Sequence, residues 1–181
     1  MQDPRIEQLL RRGDEIWREY CDAQERFHRV IPADHALAVE ALTEHRARKH
    51  SFLELGAATG VITILADLLG YDAWGIEIEP DLVQTAEGLA REVDSGANFV
   101  EGSFVPMPYR DEVELLDAEI LTPTEGDDAY AEMGRTLADF DLVYAYPWPG
   151  EEDWQIEMVR RFGGPQTELL MYTLRDGFEI V

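Results

Sequence analysis

Two stretches of the sequence decide the fold: Ser51-Phe-Leu-Glu-Leu-Gly-Ala-Ala-Thr-Gly60 and Trp74-Gly-Ile-Glu-Ile-Glu-Pro80. Each contains a short apolar run that ends in an acidic residue, and a glycine-bearing turn follows the first. Apolar residues at helical spacing fill the interval between the two stretches. This order is typical of a β-α-β unit, in which ligands bind over the carboxyl ends of parallel strands.

The rest of the chain continues the alternation of strands and helices. Strands are predicted over residues 52–55, 73–78, 98–101, 140–146 and 168–174, and helices over 61–69, 80–93, 129–138 and 151–162. Residues 113–121 are expected to form a small strand or hairpin. Alternating units of this length predict an α/β fold, namely a three-layer Rossmann-like sheet that is mostly parallel and covered on both faces.

The two ends of the chain complete this architecture. Residues 1–50 are expected to form a helical extension packed on the core, and residues 51–181 the ligand-binding domain. Pro32 interrupts the helical pattern, and Asp34 is placed to cap a second helix that runs to about Arg48. At most one short strand fits after residue 174, so the sheet is expected to be shortened. A partner chain, such as a second copy in a homo-oligomer, can cover the exposed edge.

Composition excludes several classes of protein. The 181 residues are 45% apolar and carry a formal net charge of −23, and nearly all of the excess negative charge lies in residues 51–181. Such a surface repels phosphate backbones, so nucleic acid is a poor candidate for the substrate, although the same charge also serves simple solubility. The lone Cys21 fits a reducing cytosol, which predicts a cytoplasmic location, and no apolar run reaches membrane-spanning length. No metal site is expected, because the four histidines lack ligand-like spacing.

The glycine pattern argues against a dinucleotide. A dinucleotide site requires Gly-x-Gly-x-x-Gly after the first strand, and these three positions are Gly56, Ala58 and Val61 here. Only the first is glycine, and a valine stands where the helix must approach the strand beside the pyrophosphate. The pattern therefore indicates another nucleoside-bearing ligand.

The segment Glu54-Leu-Gly-Ala-Ala-Thr-Gly60 resembles motif I of the class I S-adenosylmethionine-dependent methyltransferases. This resemblance implies S-adenosylmethionine as the cofactor. It also implies that Glu54 orders the loop and approaches the cofactor's ammonium group. The loop residues Gly56, Ala57, Ala58, Thr59 and Gly60 would let the backbone meet the ligand, which small side chains permit.

The same resemblance extends over residues 51–175 and assigns further cofactor contacts. Glu77 corresponds to the family's acid that accepts hydrogen bonds from both ribose hydroxyls, and Ile78 would lie against the adenine. Ser103 and Phe104 correspond to the segment that meets the adenine edge, although many relatives have aspartate in place of Ser103. The alternative is that the glycines and acids serve only the strand–helix turns, with Glu77 as an ordinary helix-start residue.

The end of the fourth predicted strand, Tyr146-Pro147-Trp148-Pro149, resembles the family's motif IV. Enzymes that methylate planar amines have Asn/Asp-Pro-Pro-aromatic there, and the polar first residue is absent from this chain. Nucleobase and glutamine amide methylation are therefore not inferred. Tyr146, Pro147 and Trp148 become the candidate catalytic-site residues, with two rings that can clamp a flat or cationic acceptor. Alternatively, the prolines only end the strand and Trp148 packs over the sheet.

Two further segments carry weaker signals. Glu151, Glu152 and Asp153 are candidates for a base, but acids in a first helical turn are commonly explained by the helix dipole. Pro32 and Asp34 loosely resemble a turn that folds over the cofactor's methionine end in some relatives; a helix boundary is the simpler interpretation.

The resemblance as a whole implies methyl transfer to a small molecule or a protein side chain. The alternative function is a non-catalytic S-adenosylmethionine-binding or interaction module on the same fold. An open groove beside Trp148 would favour the enzyme, whereas a groove filled by Tyr146 or by the N-terminal extension would favour the module.

Overall fold

The computed structural model of the protein describes residues 3–22, 32–116 and 120–181. Its helices are α1 (Pro4–Asp22), α2 (His35–His45), α3 (Val61–Leu68), α4 (Pro80–Glu92), α5 (Met107–Glu114), α6 (Ala129–Met133) and α7 (Glu152–Phe162). Its strands are β1 (Ser51–Leu55), β2 (Asp72–Glu77), β3 (Asn98–Glu101), β4 (Leu142–Ala145), β5 (Glu168–Thr173) and β6 (Gly177–Ile180). A short 3₁₀ helix, Leu137–Asp139, precedes β4.

The six strands form one sheet in the order β3-β2-β1-β4-β5-β6. The first five strands are parallel, and β6 returns antiparallel to β5 through a hairpin. The predicted α/β fold with a mostly parallel sheet is confirmed, and β6 is the one short further strand. The strand order reverses between β1 and β4, which opens a crevice at their carboxyl ends, where open α/β sheets bind ligands.

Helices cover both faces of the sheet because its central strands are apolar on both sides. On β1, Phe52 joins a cluster with residues of α1 to α4, whereas Leu53 and Leu55 join a second cluster with residues of α5 to α7. The predicted three layers are therefore present. Glu54 lies on the same face of β1 as Phe52, since strand side chains alternate.

The two N-terminal helices pack on the first of these clusters. Ile6 and Leu9 of α1 and Leu42 of α2 are buried there. The Asp34 carboxylate accepts hydrogen bonds from the amides of Ala36 and Leu37, so the predicted cap of α2 is confirmed. That helix ends at His45, a few residues earlier than predicted.

The segment between β3 and β4 differs from the sequence-based prediction. Residues 113–121 were expected to form a strand or hairpin, but Val113 lies in helix α5, where it is buried one turn after Tyr109. The four-residue spacing of these two apolar side chains is the helical signal. Residues 117–119 of this prediction lie outside the described residues. The helix expected over residues 129–138 is also interrupted, because Gly134 takes a left-handed conformation with φ of 63° and ends α6.

The described residues contain neither a membrane-spanning helix nor a cluster of metal-ligating side chains. None of the described helices combines the length and hydropathy that crossing a bilayer requires. Within the same residues, no group of three or more His, Cys, Asp or Glu side chains is arranged to hold a metal ion. The part of the predicted turn at residues 27–31 lies outside the described residues.

Candidate ligand-binding cleft

A cleft of about 720 Å³ lies at the carboxyl ends of the parallel strands, within the range of small-molecule sites. Its walls come from the turn after β1, the ends of β2 and β3, the segment after β4, the first turns of α7 and residues 121–123. Nine of the sequence-predicted site residues line it: Gly56, Ala58, Glu77, Ile78, Ser103, Phe104, Tyr146, Pro147 and Trp148. The other four, Glu54, Ala57, Thr59 and Gly60, lie in or behind the turn and do not line the cleft.

The turn after β1 places two glycines under different constraints. Gly56 has φ of 78°, and a Cβ atom there would have only a Phe104 ring atom, 3.9 Å away, as a near neighbour. Its backbone is therefore open to a ligand. Gly60 has the same φ, but a Cβ atom would lie 2.6 Å from the Ala86 side chain and 2.7 Å from that of Phe99. Gly60 therefore serves the packing of the turn against its neighbours.

Glu77 connects the end of β2 to the turn after β1. Its carboxylate accepts hydrogen bonds from the amides of Ala58 at 2.7 Å, Ile78 at 2.8 Å and Glu79 at 3.0 Å. Burial raises the pKa of Glu77, while these three backbone donors lower it. A carboxylate has about four acceptor sites, so Glu77 retains acceptor capacity toward the cleft.

Glu54 is buried behind the same turn. It accepts hydrogen bonds from the backbone amide of Thr63, at 2.9 Å, and from the Thr63 hydroxyl. The Glu54 carboxyl thereby caps the first turn of α3, whose N-cap residue is a glycine without a side chain. Burial raises the pKa of Glu54 to about 8, with a smaller contribution in the same direction from the Glu77 charge. This geometry suits a residue that orders the turn.

Ser103 and Phe104 form the β3 side of the cleft together with Ile78. The Ser103 hydroxyl donates to the Pro123 carbonyl at 3.4 Å and accepts from the Val105 amide at 3.2 Å. A hydroxyl oxygen has two acceptor lone pairs, so one remains for a ligand. The Phe104 ring stacks on that of Trp154, with centroids 6.3 Å apart. This part of the cleft wall therefore combines apolar side chains with one hydroxyl, which suits a flat heterocyclic ring.

The segment after β4 forms the opposite side of the cleft. The ring of Tyr146 meets that of Tyr172 edge-on, with centroids 4.8 Å apart. The Tyr146 hydroxyl is buried without a hydrogen-bond partner among the described residues. Pro147 is buried and Trp148 is half-buried. The cleft continues past both rings to Thr173 and Leu174, so among the described residues Tyr146 does not close it.

Sequence reasoning missed Gln155 and gave an incomplete account of Glu151 and Glu152, which it considered only as candidates for a base. Glu151 is buried and accepts hydrogen bonds from the amides of Leu121 and Thr122 and from the Thr122 hydroxyl, so it fixes one wall of the cleft. Gln155 is 2% exposed and lines the cleft, as does Glu152. Nothing in the sequence distinguishes Gln155, because its significance depends on segments that are distant along the chain.

Comparisons with known proteins agree with this architecture. No family model matches the chain. In sequence the chain is 37% identical over 103 residues to the ribosomal protein L11 methyltransferase of Thermus thermophilus. That alignment covers 56% of the chain and 37% of the relative, so the chain spans well under half of the relative's length.

Solved structures of methyltransferases share this fold over most of the chain. An O-methyltransferase from Bacillus cereus in complex with S-adenosylhomocysteine matches 94% of this chain and 66% of its own, with a TM-score of 0.56 and 13% identity. An RNA methyltransferase from Salinibacter ruber, also with S-adenosylhomocysteine, matches 78% of this chain and 76% of its own, with a TM-score of 0.54 and 20% identity. The chain has the class I methyltransferase fold. The resemblance predicted from motif I is confirmed.

Proposed function

We propose that the protein is an S-adenosylmethionine-dependent methyltransferase. The observation that carries this proposal is the continuous cleft at the reversal of strand order, which joins Glu77 and Ser103 on one side to Tyr146 and Trp148 on the other. Such a cleft holds a nucleoside-bearing cofactor and an acceptor at once. When bound, S-adenosylmethionine supplies a methyl group on a cationic sulfonium.

The residues that line the cleft fit this cofactor. The open backbone at Gly56 leaves room for the ligand beside the turn, and Glu77 keeps acceptor capacity for ribose hydroxyls. Ile78, Ser103 and Phe104 provide the apolar wall and the hydroxyl that an adenine ring needs. Glu54 acts behind them by holding the first turn of α3. Carboxylates around the cleft also favour a cationic ligand electrostatically.

The chain's contribution to the reaction is the alignment of the acceptor. Methyl transfer is an in-line displacement, and holding the two reactants in line converts it to an effectively unimolecular step. Tyr146 and Trp148 line the cleft after β4 and are the residues proposed to contact the acceptor, and Pro147 restricts the backbone between them. The acceptor is a small molecule or a protein side chain in this proposal.

Relatives do not select one acceptor class. Their names give ribosomal protein L11, RNA and a precorrin. The acidic surface of this chain disfavours RNA, since phosphate backbones are repelled by it. We also propose a cytosolic location, because a chain with a single cysteine forms no internal disulfide and suits a reducing compartment.

Calorimetric titration of the protein with S-adenosylmethionine and S-adenosylhomocysteine tests this proposal. Both ligands are expected to bind with micromolar affinity, and NAD is expected not to bind. Replacing Glu77 with alanine is expected to abolish binding of both sulfur ligands, because charge-assisted hydrogen bonds to the ribose are lost.

The matched control is Glu101→Ala, at the end of the neighbouring strand, where the acid is exposed and lies outside the cleft. It removes the same charge and is expected to leave the affinity unchanged. Absence of binding of either sulfur ligand would refute the proposal. Binding without methyl transfer to any acceptor would favour the non-catalytic module.

A further inference from the structure

The described residues that line the cleft are one-sided in charge. Four carboxylates lie among them, Glu77, Glu79, Asp81 and Glu152, whereas none of these described lining residues is Lys, Arg or His. A concave site lined by one sign of charge concentrates ligands of the opposite sign. Acceptors that carry a phosphate or a carboxylate are therefore disfavoured, and cationic acceptors are favoured.

Gln155 provides a second, independent observation. Its side chain is 2% exposed and lines the cleft, yet its carboxamide hydrogen-bonds none of the described residues. The amide is therefore nearly enclosed by protein and faces the cleft, where water or a ligand must supply its hydrogen bonds. The Gln155 oxygen accepts and its nitrogen donates, which suits a ligand group with N–H donors.

Glu152 stands one helical turn before Gln155 on the same helix. One of its carboxylate oxygens accepts a hydrogen bond from the Gly150 amide at 2.7 Å, and the other hydrogen-bonds none of the described residues. The rings of Tyr146 and Trp148 line the same cleft. Carboxylates, amide oxygens and aromatic faces all bind ammonium ions in proteins.

We propose that the methyl acceptor is an amine that arrives as its ammonium ion, held by Glu152 and Gln155 against the rings of Tyr146 and Trp148. This inference rests on the proposed function and deepens it by naming the acceptor class. It also gives Gln155 a specificity role, as a polar group that hydrogen-bonds the acceptor when the acceptor is bound.

With a primary amine as acceptor, the ammonium ion loses one proton to the Glu152 carboxylate, which passes it to solvent. The nitrogen lone pair then forms a bond to the methyl carbon, while the carbon–sulfur bond breaks and sulfur keeps its electron pair. The products are the methylated ammonium ion, S-adenosylhomocysteine and one proton.

Three probes of equal ring size and different charge test the acceptor class: phenethylamine, phenethyl alcohol and phenylacetate. Each is titrated by calorimetry into the protein saturated with S-adenosylhomocysteine. Phenethylamine is expected to bind at least ten-fold more tightly than the other two. Equal or tighter binding of phenylacetate or phenethyl alcohol would overturn the inference, and so would failure of all three to bind.

The saturation step separates the two proposals. If S-adenosylhomocysteine does not bind, the proposed function itself is wrong. If it binds but the amine is not preferred, only the acceptor class is wrong.

Substitutions at Glu152 and Gln155 test whether these residues cause the preference for phenethylamine. Glu152→Gln keeps an acceptor for the Gly150 amide and is expected to reduce the preference for phenethylamine about ten-fold, without changing the affinity for S-adenosylhomocysteine. The matched control is Asp153→Asn, because Asp153 is an exposed acid in the same helical turn and does not line the cleft. This variant is expected to change neither the preference for phenethylamine nor the affinity for S-adenosylhomocysteine. An equal effect of the two variants would overturn the role of Glu152.

Gln155→Met supplies a readout that a merely structural glutamine would not give. Methionine has a similar volume and no amide that needs a hydrogen-bond partner, so the variant is expected to unfold at a urea concentration at least as high as that of the unchanged protein. It is also expected to bind phenethylamine several-fold more weakly. A variant that is less stable, or that binds the amine equally well, would overturn the role of Gln155.

Discussion

Glu54 is a carboxyl group whose burial behind the turn after β1 raises its pKa to about 8. In the unfolded chain its pKa is near 4.5, so the folded protein binds an additional proton between these two values. The stability that this proton contributes is fully present below pH 4.5 and is lost as the pH rises toward 8. The limiting slope for one such group is about 1.4 kcal/mol per pH unit.

We therefore expect Glu54→Gln to reduce the fall in the free energy of unfolding between pH 5 and pH 8. The amide oxygen still accepts from Thr63, and the charge is never formed. Urea unfolding at four pH values in this interval measures the effect. Glu101→Gln removes an equal charge from an exposed site and is expected to keep the slope of the unchanged protein. Identical slopes for Glu54→Gln and Glu101→Gln would contradict the burial argument.

A comparison of Gly60 with Gly134 distinguishes the cost of a left-handed backbone from the cost of steric overlap when alanine replaces glycine. Both are left-handed, with φ of 78° and 63°, but a Cβ atom has no neighbour within 4 Å at Gly134 and two close neighbours at Gly60. Gly134→Ala is expected to cost about 1–2 kcal/mol for the left-handed conformation alone. Gly60→Ala is expected to cost a further 1–3 kcal/mol, roughly, for overpacking. Chemical denaturation of both variants checks this, and equal losses would show that packing at Gly60 is relaxed.

At the scale of elements, one side chain joins helix α7 to the wall of the cleft at residues 121–122. Glu151 accepts two backbone hydrogen bonds and one hydroxyl hydrogen bond from that wall. It caps no amide of its own helix. Glu151→Ala leaves these donors unsatisfied, so we expect a loss of about 2–4 kcal/mol in the free energy of unfolding. Hydrogen exchange of the Leu121 and Thr122 amides is expected to accelerate by at least ten-fold.

Asp153→Asn is the matched control for this prediction. Asp153 lies in the same helical turn and is exposed, so exchange at residues 121 and 122 is expected to stay unchanged. Faster exchange at the Leu53 amide of β1 to the same degree as at Leu121 would indicate global destabilisation. The local role of Glu151 would then be wrong.

The elements also show which parts of the fold the sequence predicts. β1, α3, β2 and α4 were predicted to within about two residues because apolar runs, Gly70 and Pro80 mark their ends within a few residues. Helix α5 was missed since Pro108 and Pro106 obscure a helical face made of only two buried residues, Tyr109 and Val113. The sequence therefore predicted an element correctly where residues within that element or beside it mark its ends.

The residues of the candidate site likewise fall into those that a local motif predicts and those whose role depends on distant segments. Gly56 and Glu77 stand beside strand ends, where a motif of fixed spacing predicts them. The contact from Glu54 to Thr63 spans nine residues, and that from Glu151 to Thr122 spans 29. Gln155 is notable for a hydrogen bond that it lacks among the described residues. These features depend on which segments fold together, and no local pattern encodes them.

At the scale of the whole molecule, the net charge of −23 opposes compaction. Ion pairs such as Arg12 with Glu92, at 2.9 Å, tie α1 to α4, but exposed pairs of this kind contribute only about 0–1 kcal/mol each. Salt screens both the repulsion among the 38 acidic side chains and the attraction within the ion pairs. Because the ion pairs contribute so little, the loss of repulsion has the larger effect on stability. Added salt is expected to stabilise the protein.

The measurement is the midpoint of urea unfolding as sodium chloride is raised from about 0.02 M to about 1 M, because urea itself adds no ions. The Debye length falls from about 10 Å at 0.1 M to about 3 Å at 1 M, so most of the repulsion is screened early. The midpoint is thus expected to rise steeply below about 0.3 M and then level off. A rise that stays linear to 1 M would instead indicate exclusion of ions from the surface. A falling midpoint would mean that ion pairs such as Arg12–Glu92 contribute more than repulsion removes.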